Sequence, residues 1–516
     1  MTVNEQSGER PTIKTQEGSL HIVADEAELA LRNNGAPFYV RSGLVRPIVD
    51  TTTASHGYKT KVPRIKDVSI DYMRDQMSRS AQFLRFHQSR QSWVPVDPPK
   101  DVASVILARE GEWHFPQLSG VITTPTLRPD GSILSSPGYD EQTQLLLLDP
   151  PELPAIPDAP TKDDALAALR LLDSLLDEFA FVDAPSRAVA LSGFLSTVAR
   201  GALLVVPMHA MKAPTAASGK SYGVDLWSAV ATGDRAPVIA AGAGEDETDK
   251  RVAGELLKGQ PIINIDNVNG KLGSDALCQI VERPVISLRI LGTSRTVSVE
   301  NRATVFCNGN NIQLVGDMTR RVVTCSLDTN HERPELRKFK RDPFQDILSD
   351  RGRYIAAALT VVRAYIVAGY PNLLNPLASF GDWSRLVRSP LVWLGYADPV
   401  ETMSETRATD PTIVLLSRML YSLEKAVGEK WLTTGEVIEL AKSSDNQGKR
   451  IYPDLCEALL EIKNSSEGEI SSRDLGIFLG RHKDRVIGSL KLLANFDAHK
   501  KQQKWCVRSV NVVADS

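Results

Sequence analysis

The sequence has 516 residues, of which 42% are hydrophobic and 24% charged, and its formal net charge is −3. The length predicts about three or four domains. The balanced charge excludes a polycation, so any nucleic-acid-binding surface must be local. The N-terminal stretch MTVNEQSGERPTIKTQEG is polar, and no apolar run approaches the ~20 residues of a membrane span. We therefore expect neither a signal peptide nor membrane contact.

The cysteines indicate the compartment. Their number is odd, and they form neither a CxxC pair nor metal-ligand spacing with a histidine: Cys278, Cys307, Cys325, Cys456 and Cys506. Scattered cysteines of this kind are typical of reduced thiols. The sequence thus predicts a cytoplasmic protein without disulfides.

The N-terminal part predicts a disordered tail at 1–18 and a mixed α+β domain at 19–150. The segments SLHIVAD and APFYVRSGLVRPIV are expected to form strands. Apolar residues at helical spacing predict helices in 69–86 and 101–113. The pair Asp130-Gly131 lies between strand-like flanks, which is typical of a hairpin turn.

A proline-rich linker, DPPELPAIPDAP, separates this domain from the next. Thr161 is expected to cap a helix, with a second helix at 184–203. Strands and helices then alternate through MHAMKAP, SYGVDLWSAVATG, APVIAAGAG, DETDKRVAGELLKG and PIINID. This alternation predicts an α/β core with a parallel sheet at 161–345. A helical region is expected at 346–424, with one long helix over 345–370 at its start.

The stretch KAPTAASGKSY, residues 212–222, ends like a phosphate-binding loop. Such a loop uses backbone N–H groups, a lysine and a hydroxyl to hold phosphates and Mg²⁺. Lys220 and Ser221 supply the lysine and the hydroxyl, whereas Pro214 replaces the usual first glycine. A chance GKS in a loop is the alternative. The expected nucleotide contacts are Thr215, Ala216, Ala217, Ser218, Gly219, Lys220, Ser221 and Tyr222.

Asp266 ends an apolar strand downstream of the loop and is expected to hold Mg²⁺ together with Ser221. A glutamate usually follows and activates water, but Asn267 stands here and an amide cannot take a proton. The base is then either Asp266 itself or an acid at the end of the neighbouring strand, Glu245 or Glu247. Exposed acids that merely open a helix are the alternative for those two residues.

Two further segments extend this pattern. RATVFCNGNN predicts a strand whose polar end aims Asn308 or Asn310 at the terminal phosphate of a nucleotide. GDMTRRVVTCSLD places Arg320 and Arg321 before another strand, where an arginine from a neighbouring subunit can stabilise phosphoryl charge. Between them, VISLRILGTSRTVSVEN predicts a hairpin with Arg289 and Arg295 near its tip, suited to gripping the phosphates of DNA.

The order of these features resembles the AAA+ core of superfamily 3 helicases. The likeness is strongest to the replicative helicases and primase-helicases of phages, plasmids and integrated elements, including poxvirus-type primase-helicases. It rests on RILGTS, CNGNN, GDMTRR, WSRLVRSPLVWLGYADPVETM and GVITTPTLRPDGSILSSPGYD. The resemblance implies a hexameric ring that hydrolyses ATP with Mg²⁺ between subunits and moves along single-stranded DNA. No DxD-type metal triad of a primase occurs in the N-terminal third, so priming would belong to another protein.

The C-terminal region, 425–516, predicts a winged-helix DNA-binding domain. One helix is expected to run from Ser471 or Ser472 to about 481 and a second over 484–494, followed by a basic β-wing. Within 468–510, basic residues outnumber acids, which indicates contact with DNA phosphates. The expected contacts are Arg481, Lys483, Arg485, Lys500, Lys501 and Lys504. Use of this domain for packing or protein contact is the alternative.

Together these features predict an ATP-dependent DNA helicase or translocase that replicates a phage or mobile element. One alternative is an ATP-switched replication initiator or loader without unwinding activity, which Pro214 and Asn267 favour. A second alternative is a regulator whose ATPase core has decayed and which does not assemble in response to ATP.

Overall fold

A computed structural model describes residues 10–53, 59–242, 244–290, 295–462, 471–498 and 501–510. The chain divides into two compact units. The first runs to Gly270 and continues over Ser274–Ile312 and Arg321–Thr402. The second holds Lys271–Gly273, Gln313–Arg320 and the chain from Met403 onwards. Within the described residues, none of the helices combines the length and the apolar character needed to cross a bilayer.

The N-terminal part of the first unit packs three helices against a small sheet. Its elements are β1 (Thr12–Thr15), α1 (Leu20–Asn33), β2 (Tyr39–Val40), β3 (Leu44–Thr53), β4 (Lys59–Asp67), α2 (Ile70–Ser80), β5 (Gln82–His87), β6 (Ser92–Val96) and α3 (Lys100–Ala108). Strand β5 lies between β1, which is parallel to it, and antiparallel β6. The core contains Phe38, Met73, Phe83 and Ile106.

Three sequence expectations for this region are wrong. Strand β1 lies within the segment 1–18, for which disorder is expected, and it pairs with β5. SLHIVAD begins helix α1, because Val23, Ala27 and Leu31 bury one face at helical spacing. The predicted helix at 69–86 ends at Ser80, and the chain continues as β5.

Short strands complete this part: β7 (Gly120–Ile122), β8 (Thr126–Leu127), β9 (Ile133–Leu134), β10 (Gly138–Asp140) and β11 (Leu145–Leu147). Strands β8 and β9 pair antiparallel around Asp130-Gly131, which confirms the predicted hairpin. Gly131 has φ +84°, a conformation that favours glycine.

The middle of the first unit is an α/β layer. Its elements are α4 (Lys162–Asp173), α5 (Ala184–Val198), β12 (Met208–Lys212), α6 (Lys220–Thr232), β13 (Val238–Ala240), α7 (Glu245–Leu257), β14 (Ile262–Asp266), β15 (Asn269–Leu272), α8 (Asp275–Glu282), β16 (Val285–Arg289), β17 (Thr296–Glu300), β18 (Thr304–Gly309), β19 (Asn311–Leu314) and β20 (Val322–Ser326). The last two residues of β15 and of β19 are assigned to the second unit. Five strands form one sheet in the order β13-β14-β18-β12-β20. Every pairing in it is parallel, as the alternation of strands and helices predicts.

Aromatic side chains fill the centre of this layer. His209 on β12 makes edge contacts with Trp227, Phe306 and Trp383, with ring centroids 5.8–6.3 Å apart. Gly193 on α5 lies against Trp227, where a Cβ would approach the indole within 2.3 Å. This dense packing fixes β12, and with it the loop that follows the strand.

Helices follow the sheet: α9 (Pro343–Ser349), α10 (Arg351–Val367), α11 (Gly381–Trp383) and α12 (Ser389–Trp393). The prediction of a single helix at 345–370 is wrong, because the helical conformation is interrupted at Asp350, whose φ is −148°. Beyond the break, Gly352 on α10 lies against the carbonyl of Glu152, where a Cβ would clash at 1.8 Å.

The second unit contains α13 (Glu401–Ala408), α14 (Pro411–Val427), β21 (Leu432–Thr433), α15 (Thr434–Lys442), α16 (Pro453–Ile462), α17 (Ser472–Arg481), β22 (Val486–Ile487), β23 (Leu490–Asp497) and β24 (Gln502–Ser509). Helix α13 begins two residues before the unit boundary. The strands form a sheet in the order β21-β24-β23-β22. Leu420, Leu459, Leu475 and Leu492 lie in its apolar core.

The helix predicted over 484–494 is wrong, since this segment contains β22 and most of β23. Asp484 and Gly488 both have positive φ, at 63° and 56°, which a right-handed helix does not admit. Leu490 and Leu492 are buried in alternation with partly exposed neighbours, as expected on one face of a strand.

Candidate nucleotide-binding site

The predicted phosphate-binding loop connects β12 to α6 at the carboxyl edge of the sheet. Gly219 has φ +98°, and helix α6 begins at the next residue, Lys220. A second residue of the loop, Ala217, also has positive φ at 57°, although it carries a Cβ. The loop thus makes a left-handed turn into a helix N-terminus, the geometry in which backbone N–H groups bind phosphate.

Lys220 lies inside the loop. Its Nζ donates to the carbonyl of Thr215 at 2.7 Å and contacts the hydroxyl of Ser218 at 2.9 Å. Burial lowers the pKa of the Lys220 ammonium, and the charge of Asp266 opposes that shift. A buried ammonium whose described hydrogen bonds go to neutral oxygens is suited to exchange them for an anion.

The hydroxyl of Ser221 joins the loop to two other strands. Its Oγ lies 3.4 Å from Oδ1 of Asp266, at the end of β14, and 3.3 Å from Oδ1 of Asn308, near the end of β18. Strand β18 runs between β12 and β14, so all three strand ends meet. The structure therefore brings together the predicted loop, the predicted acid and one of the two predicted asparagines.

Sequence reasoning missed Asn264, which supports Asn308. The Nδ2 of Asn308 donates to Oδ1 of Asn264 at 3.3 Å, and both side chains are buried. Asn264 precedes Asp266 by two positions on β14, so both side chains face the same side of the sheet. A polar residue two positions before the acid, in the otherwise apolar strand IINID, is the sequence signal from which Asn264 could have been predicted.

Asn267 follows Asp266 in the left-handed region, with φ +56°. Asparagine tolerates this conformation better than most residues with a side chain, whereas a glutamate here would be strained. The backbone N–H of Asn267 donates to Oδ1 of Asp266 at 2.9 Å. The conformation thus accounts for the asparagine that replaces the usual acid.

The other predicted acids lie in the first turn of α7. Glu245 and Glu247 are exposed, and Glu247 forms an ion pair with Arg251 at 3.1 Å. Strand β13, which leads into this helix, pairs with β14 so that Ala240 lies opposite Asp266. Helix α7 therefore begins a few residues beyond the edge of the site.

Asn310 and Tyr222 lie at the margin of the site. Asn310 follows the last residue of β18, two positions beyond Asn308. The Tyr222 hydroxyl donates to Oδ1 of Asp342 at 2.6 Å and accepts from the backbone N–H of Phe344 at 3.0 Å. Its ring stacks on Phe179 at 6.2 Å, so this side chain ties the loop to neighbouring segments.

The two candidate arginines have different surroundings. Arg321 is 5% exposed and forms an ion pair with Glu282 of its own chain. Arg320 is about half exposed and lies 3.1 Å from Asp317. An arginine that reaches a neighbouring subunit must be at the surface. Buried Arg321 therefore does not fit the role predicted for it, and Arg320 remains the candidate.

The predicted basic hairpin is formed by β16 and β17, which pair from Val285↔Glu300 to Arg289↔Thr296. Gly292, Thr293 and Ser294, expected at its tip, lie outside the described residues. Arg289 ends β16, and Arg295 forms an exposed ion pair with Glu110 at 2.8 Å. The hairpin exists as predicted, and one of its arginines faces the N-terminal part of the same unit.

The oxygen atoms around Ser221 suit Mg²⁺. This ion prefers octahedral oxygen ligands and is usually bound by one or two carboxylates plus phosphates and water. Ser221 and Asp266 supply one hydroxyl and one carboxylate. Within the described ranges, no cluster of three histidine, cysteine or acidic side chains offers an all-protein metal site, and all five cysteines are buried thiols.

The predicted DNA contacts of the second unit differ in their partners. Arg481 and Lys501 are exposed, and Lys483 lies 4.0 Å from Asp484. Arg485 contacts the ring of His482 at 3.3 Å, and Lys504 forms an ion pair with Asp497 at 3.1 Å. Lys500 lies outside the described residues.

Comparison with known proteins adds little. No protein-family model and no curated protein matches the sequence. Two similar solved structures are apo forms of the NrS-1 C-terminal region. One has a TM-score of 0.33 at 12% identity and covers 87% of this chain and 95% of that chain. The other has a TM-score of 0.37 at 11% identity and covers 90% and 96%. At these values the likeness carries no functional argument.

Proposed function

We propose that this protein is an ATP-dependent DNA helicase or translocase of the AAA+ type, active in the replication of a phage or mobile element. The observation that carries the proposal is the contact of Ser221 with both Asp266 and Asn308. A lysine-serine loop, a strand-end acid and a polar residue from the intervening strand are three of the groups that phosphoryl transfer from ATP uses.

Each residue has a role in the proposed reaction. Lys220 leaves Thr215 and Ser218 to bind the outer phosphates, and Ser221 and Asp266 hold Mg²⁺, which offsets phosphate charge when bound. Asn308, oriented by Asn264, positions the attacking water. Arg320 supplies positive charge from a neighbouring subunit of a ring, for which we propose a hexamer.

We further propose that the second unit is a winged-helix domain that contacts DNA. Helix α17 carries exposed Arg473 and Arg481. The hairpin of β23 and β24 brings Lys491 opposite Arg508. Exposed cations on a helix and further cations on a hairpin of the same unit are suited to the phosphates of a duplex. The basic hairpin of the first unit is proposed to contact single-stranded DNA.

A second candidate function is an ATP-switched initiator or loader without unwinding activity. The observation that favours it is the position after Asp266, where Asn267 replaces a proton-accepting side chain. Among the described contacts of Glu245 and Glu247, none reaches Ser221, Asp266 or Asn308. This function predicts ATP-dependent assembly on DNA with very slow hydrolysis.

Strand displacement on a forked DNA duplex distinguishes these functions. The wild-type chain is compared with Asp266→Asn at equal protein concentration, with ATP and Mg²⁺. Displacement by wild type that disappears in the variant supports the helicase. If wild type binds ATP and the fork but displaces no strand, the helicase proposal fails and the initiator is favoured.

A further inference from the structure

A cleft of about 560 Å³ lies within the first unit, away from the nucleotide loop. The chain around Arg41, the end of β4, the C-terminal end of α7 and the second strand of the basic hairpin all line it. The cleft thus joins the N-terminal part of the unit, which has no role in the reaction proposed above, to the hairpin of the α/β layer.

The charged residues that line the cleft are mainly cations. Four of them are basic and two are acidic: Arg41, Lys66, Lys258 and Arg295 against Asp67 and Glu110. Glu110 forms an ion pair with Arg295, and both side chains are more than half exposed. An exposed pair of this kind is weak and does not prevent a stronger anion from binding nearby.

Arg41 is the unusual member of this set, because it is only 7% exposed. Its Nη2 donates to the carbonyls of Leu256 and Glu300 at 3.1 and 3.2 Å. Among the described residues, its Nε and Nη1 have no hydrogen-bond partner. Two nitrogens of a buried guanidinium, with three N–H groups between them, are costly without acceptors and require an explanation, such as a bound ion.

The surroundings of Arg41 are shaped to hold a guanidinium. Gly259, just after α7, has φ +72°, and a Cβ there would lie 2.5 Å from Nη1 of Arg41. Burial lowers the pKa of Arg41 to about 10, and only the charge of Glu300 opposes this shift. The guanidinium is therefore held in place, and among the described residues its hydrogen bonds go to backbone carbonyls and not to a carboxylate.

We propose that this cleft binds a phosphate group, with Arg41 at its base and Lys66 and Lys258 at its sides, and that the phosphate belongs to a single-stranded nucleic acid. Phosphate oxygens are the acceptors that a guanidinium fork binds best. The basic hairpin forms one wall of the cleft. A single-stranded nucleic acid that runs along the basic edge of this hairpin is therefore the favoured source of the phosphate. The N-terminal part would then help to hold the strand, independently of ATP hydrolysis.

Binding of a fluorescein-labelled oligo(dT) to the full chain tests this proposal by anisotropy. The experiment uses the Lys220→Ala background without ATP, so phosphate at the nucleotide loop does not contribute. Lys66→Glu and Lys258→Glu change exposed side chains and should each weaken binding roughly tenfold, with a salt slope lower by about 0.7 for each phosphate that is no longer neutralised. Arg41→Lys keeps the charge, removes the fork and should also weaken binding.

Two variants serve as controls. Lys100→Glu makes the same charge change on an exposed residue at the far end of α3 and should leave affinity unchanged. Glu110→Gln removes a negative charge from the cleft and should tighten binding. A parallel experiment measures whether inorganic phosphate raises the melting temperature, and whether Arg41→Lys abolishes the rise.

The outcomes separate the two sources of phosphate. Weaker oligo(dT) binding in the cleft variants, with Lys100→Glu unchanged, supports the proposal. Protection by inorganic phosphate that needs Arg41, with oligo(dT) binding unchanged in all variants, assigns the site to free phosphate and overturns its role in strand binding. No effect on either ligand overturns the whole proposal. None of these results depends on whether the protein hydrolyses ATP.

Discussion

The hydroxyl of Ser221 lies 3.4 Å from a carboxylate oxygen of Asp266, although 45 positions separate the two residues in the sequence. Ser221 belongs to the first turn of α6, and Asp266 ends β14. Parallel strands bring their carboxyl ends to one edge of a sheet, so a loop after one strand and an acid at the end of another become neighbours. This relationship underlies the account of the nucleotide site.

The first prediction concerns the two asparagines near the end of β18. Asn308→Ala should lower the ATP hydrolysis rate by about 10²–10³-fold with little change in nucleotide affinity, because the variant lacks a polar group that aids the transition state. Asn310→Ala is the matched control and should keep near wild-type activity. Steady-state kinetics and nucleotide binding provide the measurements. An equal loss of hydrolysis rate in both variants would contradict the different roles assigned to Asn308 and Asn310.

The second prediction concerns strain in the loop. Ala217 has φ +57°, a region that costs a residue with a Cβ about 1 kcal/mol, whereas the φ of Ala216 is not positive. Ala217→Gly should therefore raise the free energy of unfolding relative to Ala216→Gly by about 1 kcal/mol. Both side chains are exposed, so packing is preserved in each variant. Denaturant unfolding without nucleotide measures the difference, and equal stability of the two variants would contradict the loop conformation.

The third prediction concerns pH. Burial lowers the pKa of His209 to about 4, below its unfolded value of about 6.5. The unfolded chain therefore binds more protons between these values, and stability falls as pH falls through the window. From about pH 7 to about pH 5, wild type should lose about 2 kcal/mol more than His209→Gln. Unfolding curves at both pH values test this, and parallel losses would show that folded His209 binds protons in this range as the unfolded chain does, so that burial does not lower its pKa.

The fourth prediction concerns the C-terminal hairpin. Lys501 is exposed, whereas Lys504 on the same segment forms an ion pair with Asp497. Lys501→Ala should weaken duplex DNA binding and lower its salt slope by about 0.9, because the variant neutralises one phosphate fewer. Lys504→Ala should change both quantities less. Anisotropy across a range of salt concentrations measures the slope. Unchanged slopes in both variants would indicate that this hairpin does not touch DNA.

Strong local patterns predict much of the first unit. The parallel layer, the hairpin around Asp130-Gly131 and the helix cap at Thr161 are present as expected. SLHIVAD is assigned wrongly because a short apolar segment fits a strand or one face of a helix equally well. The C-terminal strand at 490 is missed because left-handed residues such as Asp484 are not evident from residue types alone.

The sequence can point to candidate site residues where the motif is local, but not where the choice between residues depends on tertiary contacts. Lys220 and Ser221 form a continuous motif, and Asp266 ends an obvious strand, so both are visible in sequence. The choice between Asn308 and Asn310 depends on which residue still belongs to β18, and that between Arg320 and Arg321 depends on burial. Neither property can be read from one sequence without tertiary contacts.

The most direct test of the central claim is the ATP hydrolysis rate with and without single-stranded DNA, measured on wild type and Lys220→Ala in parallel. Thermal unfolding first establishes that both proteins are folded. The account predicts hydrolysis that DNA stimulates in wild type and that falls at least about 10²-fold in the variant. An equal rate in the two proteins, at every ATP concentration, would contradict the assignment of this loop as the nucleotide site.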